Sequence, residues 1–92
     1  MNTQVDLQQI ELARLKCLTE REAQALVKLS DERDTVSVIE DGWINITYVG
    51  RGSNQIDLSL PDSYSIVTRI SYLKEILTEL RKIKNYILEC AA

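Results

Sequence analysis

Leu7, Ile10, Leu15, Leu18, Leu26 and Leu29 recur along the first thirty residues at helical spacing. No Gly or Pro interrupts the chain before Gly42. Thr19-Glu20-Arg21-Glu22 spells a capping box, so two helices broken near Thr19 are one reading. Since no residue forces a break, a single helix over about residues 4–32 is preferred, within a helical segment 1–33.

The hydrophobic period then changes from 3.6 to 2. Val36 and Val38 alternate with Ser37; Ile44, Ile46 and Tyr48 with Asn45 and Thr47; Ile56, Leu58 and Leu60 with Asp57 and Ser59. Residues 35–60 therefore predict three short strands, each with one apolar face. A two-residue Asp41-Gly42 turn would set Val38 opposite Asn45 and mix the faces. A three-residue Glu40-Asp41-Gly42 turn pairs Val38 with Ile44 and Val36 with Ile46, and is preferred. Around Arg51-Gly52-Ser53 the same logic pairs Tyr48 with Ile56, Ile46 with Leu58 and Ile44 with Leu60.

Pro61-Asp62-Ser63 opens a last helix over 62–90, with Asp62 or Ser63 as its cap. Ile66, Ile70, Leu73, Ile76, Leu77, Leu80, Ile83 and Ile87 trace one side of it. The predicted fold is α+β in the order α-β-β-β-α. A three-stranded antiparallel meander packs against two long helices, and residues 1–92 make one small domain.

A meander of three strands makes the helices that flank it run parallel, offset by about 59 positions. Glu11 and Glu22 fall inside the apolar arc of the first helix, and Arg69 and Lys84 inside that of the last. The offset predicts the pairs Glu11–Arg69 and Glu22–Lys84 or Glu22–Arg81. A six-residue strand spans roughly 20 Å and a 28-residue helix roughly 42 Å, so both helices overshoot the sheet. The overhanging stripes, Leu7, Ile10 and Leu15 with Leu80, Ile83 and Ile87, predict a homodimer interface.

Composition narrows the chemistry. Fourteen acids against eleven bases give net −3, the wrong sign for a nucleic-acid domain. Residues 63–92 carry five bases and three acids, and a net +2 there is a small footprint for phosphate. Histidine is absent, which removes the commonest general base and metal ligand. No nucleotide loop, zinc spacing or calcium loop is present, and Gly50-Arg51-Gly52 is a lone GxG at a turn. Neither an enzyme nor a bound cofactor or metal is expected. Leu18-Thr19-Glu20-Arg21-Glu22 with Leu26 resembles the opening of a LuxR-type helix-turn-helix over about ten residues. Such domains continue with short helices where this chain turns to strand alternation. Two distant cysteines, Cys17 and Cys90, the lack of a signal-like N-terminus and the lack of an apolar span imply a cytoplasmic protein with reduced thiols.

The function expected from these features is non-enzymatic: a small homodimeric regulator, adaptor or inhibitor acting on a protein partner. Such sizes are common among proteins of phages and mobile elements. In the preferred register Trp43 and Ile39 flank the turn on the polar sheet face, near Val49, as an aromatic anchor. The alternative is a small anionic ligand or nucleotide held at a subunit interface by Arg51, Arg69, Lys84, Tyr64 and Tyr86.

Overall fold

A computed structural model describes residues 3–31, 35–48, 52–60 and 63–90. Its elements are α1 (Thr3–Ser30), β1 (Thr35–Glu40), β2 (Trp43–Tyr48), β3 (Gly52–Asp57) and α2 (Ile66–Cys90). The strands form an open antiparallel sheet in the order β1-β2-β3, with both helices on one side. The architecture is α+β in the order α-β-β-β-α, as the periodicity predicts.

Helix α1 runs unbroken through Thr19. That hydroxyl caps nothing: it donates to the Leu15 carbonyl four residues back at 2.7 Å and is buried. Helix α2 begins four residues later than the sequence suggests. Ser65 is its cap, accepting the Thr68 amide at 3.2 Å and donating to the Thr68 hydroxyl at 2.8 Å. Asp62 lies outside the described residues.

The first hairpin departs from the predicted register by one residue. Its turn is the two-residue Asp41-Gly42, with φ of 52° and 80°, the left-handed pair that a type I′ turn demands. Val38 is therefore opposite Asn45, Val36 opposite Thr47, Ser37 opposite Ile46 and Ile39 opposite Ile44. A slip of one inverts a strand. Thr35 and Ser37 are buried against the helices, while Val38 is exposed. The polar side chain placed inside is satisfied there. Ser30 donates its hydroxyl proton to the Leu26 carbonyl at 2.8 Å, so the 2.5 Å contact with Ser37 has Ser37 as donor.

The second hairpin departs by four. Ile44 faces Ile56, Ile46 faces Asn54 and Tyr48 faces Gly52. An even slip leaves every side chain on its predicted face, so Ile56 still packs on the core. Leu58 and Leu60 lie past the strand end, where the Leu58 amide donates to the Gly42 carbonyl at 2.6 Å.

The parallel helices are joined at two levels by ion pairs, Glu11–Lys74 at 3.3 Å and Glu22–Arg81 at 4.0 Å. Glu22 thus has the predicted Arg81 as partner, whereas Glu11 reaches Lys74 in place of Arg69. Two apolar clusters lie along the pair. Ala23, Leu26, Ile76, Leu80, Ile83 and Ile87 pack under Ile44 and Ile46 of the sheet. Farther from the sheet, Leu12 and Leu15 close on Ile70, Leu73 and Leu77, with Leu18, Leu60 and Ile66 at the margin.

This packing corrects the predicted dimer interface. In a parallel pair both C-terminal halves lie at the same end, and the sheet covers that end. Leu80, Ile83 and Ile87 are therefore buried within the chain, and Leu15 is buried between the helices. Of the six residues only Leu7 and Ile10 stay open, 66% and 65% exposed. Ile10 sits about half a turn away from the buried side of α1. No helix among the described residues is long and apolar enough to cross a membrane.

Candidate interaction surface

With both helices on one side, the described residues leave the other side of the sheet open. The two-residue turn decides what stands there. Glu40 is opposite Trp43 across the turn, and Asp57 is opposite Trp43 on the other flank. Directly opposed side chains on a sheet lie with Cβ atoms roughly 5 Å apart, close enough to share one ligand. One step along, Val38, Asn45 and Gln55 form the next row. Trp43 is 43% exposed. A shallow open cleft of about 290 Å³ lies beside it, lined by Glu40, Asp41, Trp43, Asn45 and Gln55.

Trp43 is thus on the outer sheet face, as the sequence predicts, but its neighbours differ. Ile39 belongs to the opposite face, paired with Ile44, because the one-residue slip exchanges it for Glu40. Val49 lies outside the described residues. Glu40, Asn45 and Gln55 are residues that sequence reasoning missed, and the Asp-Gly dipeptide was the signal that could have found them. Taken at its usual turn type, it puts Glu40 beside the indole.

Asp57 is tied to its own strand end. Its carboxylate accepts the Ser59 hydroxyl at 2.5 Å and the Ser59 amide at 2.9 Å. The hydroxyl bond first, then the amide bond, holds its pKa below the ordinary carboxylate value. The backbone carbonyl of Asp57 accepts the Tyr72 hydroxyl of α2 at 3.0 Å, which pins β3 to the helix layer. Burial, then the nearby Asp57 charge, pushes the Tyr72 phenol upward.

The residues of the alternative ligand site do not converge. Arg69 and Lys84 are fifteen positions apart on α2, roughly 22 Å of helical rise. Tyr64 is exposed ahead of the helix, and Arg51 lies outside the described residues. Tyr86 lines a recess. Its ring meets Tyr48 edge-on, centroids 5.2 Å apart at 80°, in an open cleft of about 400 Å³ with Ser53, Asn54, Lys82 and Ile83. Lys82 is 3.6 Å from Glu79, so its charge is already shared. Among the described residues no three His, Cys, Asp or Glu side chains converge as a metal set would. Cys17 is an exposed free thiol.

Family models, curated proteins and solved structures were each compared with this chain, and none matches.

Proposed function

We propose that this chain is a non-enzymatic interaction protein, a small regulator, adaptor or inhibitor, that binds a protein partner through the outer face of its sheet. The observation that carries this reading is the position of Trp43. The only tryptophan of the chain stands half-exposed on a rigid strand, on the face that the helices leave bare. Aromatic side chains held in this way are the commonest anchors of protein interfaces. A cytoplasmic location fits the exposed free thiol of Cys17.

Self-association is a smaller part of the proposal than the sequence implies. With Leu15, Leu80, Ile83 and Ile87 internal, a homodimer rests on Leu7 and Ile10, a surface well short of the ~800 Å² per partner of a stable pair. The ligand reading keeps one observation, the Tyr48–Tyr86 cleft with Lys82 at its rim. A thermal-shift screen with nucleotides tests it, since a ligand that binds only the native state raises Tm.

The main reading is tested by affinity capture from the native host with the wild-type chain and Trp43→Ala side by side. A partner retained by the first and lost by the second supports the sheet face. A partner that both retain places the binding surface elsewhere.

A further inference from the structure

Some carboxylates of the described residues have a basic partner and others have none. On the helices Glu11, Glu22 and Glu79 each have a basic partner, Lys74, Arg81 and Lys82 respectively. On the sheet, Glu40, Asp41 and Asp57 have none among the described residues, where 35–48 and 52–60 contain no Lys or Arg. The whole connection between the helices, residues 31–62, carries seven acids and two bases, net −5. The connection thus carries an excess of acid that no base among the described sheet residues offsets.

Those open charges surround the indole. Glu40 is its cross-strand neighbour, Asp41 occupies the adjoining turn, and both line the same cleft beside it. Asn45 and Gln55 line the same cleft with side-chain amides. An electron-rich ring beside two carboxylates that have no basic partner among the described residues, with two side-chain amides, is a recognition element for a cation. The ring quadrupole attracts positive charge, and the oxygens accept its N–H donors. Anionic partners are disfavoured by the same groups, which rules against phosphate, nucleic acid and anionic lipid at this face.

Resting on the sheet-face reading above, we infer that the Trp43 cleft receives an arginine or lysine side chain from a basic segment of the partner protein. The aliphatic stem of that side chain covers the indole, and its charged head reaches Glu40 and Asp41. Arginine fits this set better than lysine, because its planar fork stacks on the ring while donating sideways to carboxylates.

The lone tryptophan makes the test direct, since all indole fluorescence comes from the site. The probes are a blocked peptide Gly-Arg-Gly-Arg-Gly and the same peptide with neutral citrulline in place of arginine. The arginine peptide is expected to shift Trp43 emission saturably, and more weakly at about 0.5 M salt than at low salt. The double variant Glu40→Gln/Asp41→Asn should bind it about five-fold more weakly. Asn tolerates the left-handed backbone of position 41, so the turn survives, which an unchanged Tm verifies. Citrulline binding within two-fold of arginine, undiminished binding by the double variant, or no saturable response overturns the inference.

Host capture separates this failure from that of the broader reading. A partner lost with Trp43→Ala but kept by Glu40→Gln/Asp41→Asn sinks the cation and spares the sheet face. A partner kept by Trp43→Ala sinks both. A twofold mass in light scattering that the double variant returns to one chain assigns the cleft to a second copy and overturns a separate partner.

Discussion

The two faces of the sheet come from the same eighteen strand residues and have opposite characters. The inner face holds Ile44 and Ile46, fully buried against Leu26, Leu80, Ile83 and Ile87, with Ser37 bonded to Ser30. The outer face holds Trp43, Val38, Asn45 and Gln55, with Glu40 and Asp57 on either side of the ring. The inner face is what folds the chain. The outer face adds little to the core, yet it carries the largest apolar side chain in the sequence. The proposed partner contact rests on this difference: the sheet hides isoleucine and shows tryptophan.

The largest effect that separates the faces is expected from Ile83→Asp. This residue is 6% exposed in the cluster beneath the sheet, whose buried members are all apolar. Burying an unpaired charge costs several kcal/mol, comparable with the roughly 5–15 kcal/mol that holds a whole domain. Circular dichroism should show an unfolded chain, and wild-type light scattering at micromolar concentration should give the mass of one chain. A folded Ile83→Asp variant together with a twofold wild-type mass would restore the helix-end dimer and remove Ile83 from the core.

Next in size is Ser37→Ala, which probes the polar contact inside the inner face. Losing its bond to Ser30 should lower stability by about 1 kcal/mol in a denaturant titration. Stabilisation by Ser37→Val instead would mean that the odd register slip is set by the turn alone, with the serine pair merely tolerated.

Trp43→Ala is expected to cost about 1 kcal/mol or less, the scale of an exposed cross-strand pair. A loss of roughly 3–5 kcal/mol, the scale for a buried tryptophan, would mean that the outer face is packed and would erase the difference between the faces.

How much of this was legible in the sequence depends on which signal each feature left. The helices were, because 28 residues of Thr3–Ser30 lack any breaker and α2 repeats its apolar side seven times or more. The first two strands and the strand order follow from alternation, whereas β3 (Gly52–Asp57) lies ahead of the Ile56-Leu58-Leu60 alternation and shares only Ile56 and Asp57 with it. Register was not legible. Alternation alone demands that Val36 and Val38 share the face of Ile44 and Ile46, since a mixed face buries polar atoms. It lost because Asp-Gly favours a two-residue turn, and because a serine on another element satisfied the buried serine. That partner, Ser30, sits seven residues away at the end of a helix, and no local pattern announces it. The second hairpin slipped without penalty to the faces, since four is even. The outer site followed the fate of the turn. Trp43 was placed correctly, but its acidic neighbours depend on the one-residue slip and were lost with it.

The smallest expected effect concerns the outer carboxylate whose environment the structure defines most fully. Asp57 is solvated, and two bonds from Ser59 favour its charged form. A carboxyl with a folded pKa below its unfolded value adds stability above the unfolded pKa. That contribution is lost as pH falls through the folded pKa. Removing the hydroxyl with Ser59→Ala deletes the larger of the two causes, so the Asp57 pKa should rise toward the ordinary carboxylate value. Carboxyl carbon shifts in an NMR titration read this directly. The variant should be slightly less stable than the wild type near neutrality, where the contribution is fully present, and the two stabilities should converge as pH falls through the folded pKa. The Trp43 emission of the two proteins should agree at pH 7, because Asp57 is ionised in both. An Asp57 titration that stays where it is in the wild type would show that the Ser59 amide alone holds the charge. The strand end would then be set by backbone geometry, leaving the hydroxyl free to face a partner.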